Sequence, residues 1–237
     1  MSTIVGPEMT LGELVTRFPA LTRELERRDL DYCCGGDTTL GQACRDAGLD
    51  ASVVVAELGS TIGDDGPASW SMLDIADLVN HVVDTHHRYL WDELPRLQAL
   101  LDKVVDEHGD RHPELREIAR CFVAIRADIE SHLSDEERVL FPAARQLASA
   151  PIPPAFGFGS ICAPIAVVLR EHDELGASLR ELRVLSNDYS VPDDGCASYR
   201  ALFDGLEQLE FDTHLHVHKE NNVLFPRVVM LEERLCS

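Results

Sequence analysis

The sequence predicts an all-α protein: an up-down-up-down four-helix bundle preceded by a small helical module. Three observations carry this. Four long segments step their apolar residues by threes and fours, the period of a helix with one buried face. Linkers of about ten residues join successive segments, which favours antiparallel neighbours. No segment shows the sustained alternation of a strand.

In chain order, Thr10-Leu-Gly-Glu13 has the form of a capping box opening a short helix. Phe18-Pro19 breaks or restarts that helix, and Leu21, Leu25 and Leu30 continue an apolar face. Asp31-Tyr-Cys-Cys-Gly-Gly36 reads as a turn. A helix capped by Thr38 or Thr39 then runs to Ala47 and ends at Gly48, and Asp50 caps another through Val53, Val54 and Leu58. Residues 1–62 thus form a helical module near the lower size limit for independent folding. Ile62 to Ser69, polar and rich in Gly and Pro, reads as a linker to a bundle over 70–237.

The bundle helices are expected at 72–104, 114–148, 160–187 and 198–234. Ala76, Val79, Val83, His87, Leu90, Leu94 and Leu97 mark the inner stripe of the first. Ile118, Phe122, Ile125, Ile129, His132, Glu136 and Leu140 mark the second. Ile161, Ile165, Val168, His172, Leu175, Leu179 and Leu182 mark the third. Leu202, Leu206, Leu209, Thr213, His216, Glu220 and Leu224 mark the fourth. Each stripe is interrupted by a histidine, and two of them by a glutamate as well.

Those interruptions repeat. His132-Leu-Ser-Asp-Glu136-Glu-Arg-Val-Leu-Phe-Pro142 returns 84 positions later as His216-Val-His-Lys-Glu220-Asn-Asn-Val-Leu-Phe-Pro226. His and Glu four apart share one helix face. His87 precedes His132 by 45 residues, and His172 precedes His216 by 44. Each half therefore offers one lone histidine and one His-x3-Glu, six donors in all. A buried carboxylate is costly unless paired or metal-bound, and two at one depth are worse. Two histidine-carboxylate pairs facing each other can hold a pair of first-row transition-metal ions.

The remaining histidines read differently. His86 adjoins His87, but the stripe selects His87. His81 lies near the line without being on it. His108 and His112 fall in a loop and are expected to be solvated, and His214 and His218 flank His216 on other faces. Asp135 and Glu137 read as a solvated acidic face. Ferritin-type di-iron sites use Glu-x2-His, the reverse order, and no His-Glu-x2-His zincin motif occurs.

Composition excludes several classes. With 21 Lys and Arg against 42 Asp and Glu, the net charge of −21 repels phosphate backbones, so nucleic acid is not an expected partner. No apolar run approaches the ~20 residues needed to span a bilayer, and the N-terminus lacks the regions of a signal peptide. A cytoplasmic protein without membrane contact is expected. Seven cysteines, none in Cys-x2-Cys, support neither a zinc knuckle nor a thioredoxin motif. Cys33-Cys34, in its Gly-flanked turn, is expected to present exposed soft ligands.

An imidazole-rich site of this kind resembles hemerythrin. Leu11-Gly-Glu-Leu14 with Asp31-Tyr-Cys-Cys-Gly-Gly36 resembles the ScdA-type N-terminal domain, and Leu73 to Pro226 resembles the hemerythrin-like domain fused to it. Together they resemble the RIC family, the YtfE- or ScdA-type proteins for repair of iron centres. The resemblance implies two non-haem irons joined by an oxo bridge. His87, His132, His172 and His216 would be terminal ligands, with Glu136 and Glu220 as bridging carboxylates. It also implies that Cys33 and Cys34 act in iron transfer or nitric oxide chemistry, with damaged iron-sulfur proteins as partners and nitric oxide or oxygen as small ligands. A homodimer stays open. Two other classes share the site: a di-iron nitric oxide reductase or peroxidase-like enzyme, and a hemerythrin-like carrier or sensor, for which the cysteine pair has no use.

Overall fold

The computed structural model describes residues 5–62 and 68–237, so most of the expected linker, at 63–67, lies outside the described residues. Among those described, the regular structure is helical and no strand forms. Contacts divide the chain into two compact units, one of residues 1–81, 143–162 and 214–237, the other of 82–142 and 163–213. These are not coextensive with the two sequence modules, because the first unit takes in the end of the fourth bundle helix as well as the N-terminal module.

In the first unit, α1 (Leu11–Arg17) opens on the expected capping box: Thr10 Oγ1 accepts from Glu13 N–H, and the Glu13 carboxylate accepts from Thr10 N–H. Pro19–Leu21 makes one 3₁₀ turn before α2 (Thr22–Glu26). Thr39, not Thr38, caps α3 (Leu40–Asp46), and Asp50 caps α4 (Ala51–Thr61). Leu11, Leu14, Leu21, Leu25, Leu40 and Leu58 form a core that also takes in Val217.

In the second unit four helical segments share one core. Leu90, Leu94 and Leu97 come from α6 (Arg88–His108), which follows α5 (Ile75–Val82). Ile118, Phe122 and Ile125 come from α7 (Glu114–Asp135), and α8 (Phe141–Ser149) continues that helix. Leu175, Leu179 and Leu182 come from α9 (Cys162–Leu185), and Leu202, Leu206 and Leu209 from α10 (Ala197–Lys219), which α11 (Phe225–Cys236) continues. Each fully buried leucine or isoleucine contributes about 1.5–3 kcal/mol relative to exposure. His87, at the head of α6, meets Glu137, just past α7, while His108 at its tail meets Cys196 at the head of α10. α6 therefore runs antiparallel to both, and the expected alternation holds.

The second, third and fourth stripes are buried as expected. The first shifts phase: Val82 is buried in place of Val83. The cause is a π-helical turn at Val83–His87, where one extra residue is accommodated and consecutive His86 and His87 both become buried. Two more π turns, Glu136–Leu140 and Glu220–Leu224, interrupt the two helices that carry His-x3-Glu. Both precede the repeated Phe-Pro. A proline has no N–H for the i−4 carbonyl and its ring crowds that carbonyl. At each, the preceding phenylalanine reaches back five residues instead, from Phe141 N–H to Glu136 O and from Phe225 N–H to Glu220 O. The Val-Leu-Phe-Pro repeat thus sets the local widening at each glutamate.

The N-terminal turn packs on the same chain segment. Asn222 Nδ2 donates to the Cys33 carbonyl at 2.9 Å and to that of Tyr32 at 3.3 Å, and Gly12 N–H donates to Gly36 O at 2.9 Å. This closeness requires glycine: a Cβ on Gly36 would lie 2.0 Å from Asn222 Oδ1. Gly36→Ala should expel the Asn222 side chain, take one donor from each of the Tyr32 and Cys33 carbonyls and cost about 1–3 kcal/mol by denaturant unfolding. In the Gly36→Ala background, Asn222→Ala should add little. Full additivity in that double-mutant cycle would separate the two residues.

Candidate metal centre

Within the second unit the predicted donors His87, His132, Glu136 and His172 come together, all buried. Glu136 Oε2 lies 3.4 Å from His87 Nε2 and 3.4 Å from His132 Nε2. Neither Glu136 oxygen receives a hydrogen bond from the described residues, although the residue has no exposed surface. His132 Nε2 and His172 Nε2 are 3.1 Å apart. Two ligand nitrogens at right angles on one first-row ion, with bonds near 2.1 Å, stand about 3 Å apart. In the first unit His216 Nε2 and Glu220 Oε1, one helical turn apart and both buried, lie 3.0 Å from each other.

The outer groups settle which nitrogen faces inward. His87 Nδ1 is 3.0 Å from Glu137 Oε1, and His132 Nδ1 is 2.9 Å from Glu171 Oε2. A carboxylate at Nδ1 requires a proton there, which leaves the Nε2 lone pair directed at Glu136 and its surroundings. The hydrogen bond from His132 also holds the Glu171 carboxyl below its ordinary range, against the opposing effect of burial. The acidic face expected at Glu137 is thus a working part of this arrangement: its carboxylate also accepts from Trp91 Nε1 at 3.2 Å. Glu171 was not singled out by the repeat, though its place beside His172 in the sequence is a signal.

The remaining histidines sort out as follows. His86 turns from Glu136 toward Asp212, 2.9 Å from its Nδ1, so His87 is the one beside the carboxylate. His81 Nε2 accepts from Lys219 Nζ at 3.0 Å, and that buried ammonium also lies 5.3 Å from the Trp70 ring centre. His214 pairs with Glu26 at 3.2 Å. His218 is buried, donates from Nδ1 to the Tyr32 carbonyl at 3.2 Å, and accepts at Nε2 from Thr16 Oγ1 at 3.2 Å. His108 is not solvated: it ends α6, buried, with Nε2 3.2 Å from Cys196 Sγ. His112 keeps a partly exposed place between Glu114 and Asp194.

The cysteine turn also differs from expectation. Cys33 is buried and Cys34 half-buried, because the turn folds over Asp31, whose Oδ1 accepts from Cys33 N–H, Cys34 N–H and the Cys33 thiol. The Cys34 sulfur, burial and Asp31 together hold the Cys33 thiol well above its ordinary pKa. Burial pushes Asp31 upward, but the Cys33 thiol and the N–H groups of Gly35, Cys34 and Cys33 outweigh it, and its pKa is lowered. The Cys33 carbonyl meets Asn221 and Asn222, the residues directly after Glu220.

Residues 78–228 match the sequence model described as the hemerythrin HHE cation binding domain. Residues 7–61 match an ScdA-type N-terminal domain described only as a domain of unknown function, DUF542. The iron-sulfur cluster repair protein YtfE of Escherichia coli O1:K1 is 30% identical over 223 residues, covering 94% of this chain and 97% of that protein. The proteins of the same description from Escherichia coli SMS-3-5 and Escherichia fergusonii share that identity and coverage. No helix among the described residues is long and apolar enough to cross a membrane.

Burial lowers the pKa of His218 to about 4, with Lys219 adding to the effect and the Tyr32 carbonyl opposing it. The unfolded chain takes up a proton near pH 6.5, while the folded chain does not until about 4. Between those values stability should fall with pH by up to about 1.4 kcal/mol per unit from this group. In His218→Gln the pH dependence of the unfolding free energy over that window should be correspondingly shallower.

Proposed function

Since this chain belongs to the family of the iron-sulfur cluster repair protein YtfE, with a hemerythrin-type cation-binding domain as its larger part, we propose that it holds two non-haem irons and serves the repair of damaged iron-sulfur clusters. The observation that carries the metal reading is Glu136, a fully buried carboxylate with no hydrogen-bond donor, approached by two imidazole nitrogens at 3.4 Å. A carboxylate so placed costs several kcal/mol unless a cation compensates it. Iron fits the donor set, since imidazole and carboxylate together suit first-row ions.

The sequence repeat assigns ligands to ions. Its pseudo-twofold exchanges His87 with His172, His132 with His216, and Glu136 with Glu220. His132 and His172, 3.1 Å apart, would hold one ion, and by the repeat His87 and His216 would hold the other, with Glu136 and Glu220 as the carboxylate ligands. Glu137 and Glu171 orient two of the imidazoles and raise their basicity. Bound iron would supply a labile ferrous ion for a damaged cluster and a binding position for nitric oxide or oxygen. Cys33 and Cys34 serve transfer: the Cys33 carbonyl is held by the two residues that follow Glu220, and the buried thiol has to be uncovered before it can take up iron. No disulfide joins any of the seven cysteines.

The purified protein should carry about two irons per chain and no haem Soret band. Glu136→Ala should lose at least one iron, and Glu171→Ala should weaken iron about 10–100-fold against a competing chelator. Full iron in Glu136→Ala would make the repeat structural rather than ligating.

Cys33→Ser combined with Cys34→Ser should keep both irons yet restore a nitric-oxide-damaged cluster several-fold more slowly in a reconstituted assay. Unimpaired repair without either thiol would assign the turn to folding alone. Loss of iron would make a cysteine a ligand.

A further inference from the structure

At the opposite end of α6 from His87 stands a second convergence of metal-ligating groups. His108, Glu107 and Cys196 place one donor atom each within 4.8 Å of one another. His108 Nε2 is 3.2 Å from Cys196 Sγ, and Glu107 Oε2 is 3.9 Å from the same sulfur. His108 is 95% buried, since its relative exposure is 5%, and Tyr199 covers its ring edge-on at 5.4 Å. Twenty-one residues of helix separate His108 from His87, about 30 Å at 1.5 Å per residue. The two places cannot share an ion.

We propose that Cys196, His108 and Glu107 form a separate site for one divalent cation of the zinc class. Thiolate, imidazole and carboxylate are the three donor types that a borderline-soft, tetrahedral ion accepts, and three protein ligands leave the fourth position to water. Cys196 sits at the head of α10, where its carbonyl accepts from Arg200 N–H at 3.1 Å. The surroundings add negative charge: Asp194 and Glu114 both lie against His112, whose ring is 6.3 Å from that of His108.

Hydrogen bonds fix the histidine of this cluster. Arg111 Nη2 lies 3.1 Å from His108 Nδ1. A guanidinium only donates, so Nδ1 is the acceptor and the proton on Nε2 points at Cys196. On binding, the thiol proton of Cys196 leaves to solvent, the imidazole proton passes from Nε2 to Nδ1, and the Nε2 lone pair and thiolate take the cation. Arg111 has to withdraw from Nδ1. Its side chain is 62% exposed and already holds Asp194 at 3.2 Å, so the cost is small. The cation would tie the tail of α6 to the head of α10.

The test uses the full-length, iron-loaded, reduced protein with Co²⁺ as probe, because the bundle centre offers no thiolate. One equivalent of Co²⁺ should produce a thiolate-to-cobalt charge-transfer band in the difference spectrum, and Zn²⁺ should abolish it by displacement. Cys196→Ser should remove the band and weaken Co²⁺ at least about 100-fold, the upper end of what loss of a mere supporting group costs. Cys33→Ser with Cys34→Ser should leave it unchanged. A missing band in the wild-type protein, or one that survives Cys196→Ser, overturns the proposal. Independently of any variant, Zn²⁺ should protect Cys196 from alkylation by iodoacetamide, read by peptide mass. Equal labelling with and without Zn²⁺ would leave only a hydrogen-bonded thiol and refute the site.

Discussion

A fully buried carboxylate without a hydrogen-bond donor among the described residues governs the centre of the second unit. Glu136 has no exposed surface, and both its oxygens lack donors. Such a group must be neutralised or face a cation, and its surroundings are arranged for the second course. Two imidazoles direct Nε2 toward it, and each is fixed in that sense by an outer carboxylate, Glu137 or Glu171.

The helices yield locally to this demand. α7 and α10 each widen into a π turn that begins at the glutamate and ends just before the phenylalanine and proline of the repeat. A regular helix there would drive the proline ring into the carbonyl four residues back. The repeated trailer is therefore a backbone device. It stops the regular ladder at a fixed distance from the carboxylate and resumes it in a new phase as α8 and α11. The turn at Val83–His87 has no proline, and its effect shows in the side chains: consecutive histidines buried, one directed to Glu136 and one to Asp212.

The N-terminal turn is built on the same economy of space. Gly12 and Gly36 leave room for the Asn222 amide, which grips the carbonyls of Tyr32 and Cys33. Asp31 gathers the N–H groups of the turn and the Cys33 thiol. The outcome is a buried, protonated Cys33 rather than a thiolate, so the soft ligand is stored and not displayed.

Much of this was legible in the residues. The 3.6-residue stripes and the caps at Thr10 and Asp50 predict the helices, because local periodicity and capping act within a few residues. The double His-x3-Glu with Val-Leu-Phe-Pro identifies four of the six candidate donors and the matched offsets add His87 and His172, because a duplicated pattern survives without knowledge of packing. What packing alone decided lies in relations between distant residues. Whether Val82 or Val83 turned inward depended on a π turn that no stripe encodes. Glu137 and Glu171 became supports because folding set them against His87 and His132, 50 and 39 residues away in sequence. His108 was drawn out of solvent by Cys196, 88 residues on, and the Cys33 carbonyl was held by the two residues that follow Glu220. Sequence spacing determines which side chains share a helix face; burial and proton placement depend on which faces meet.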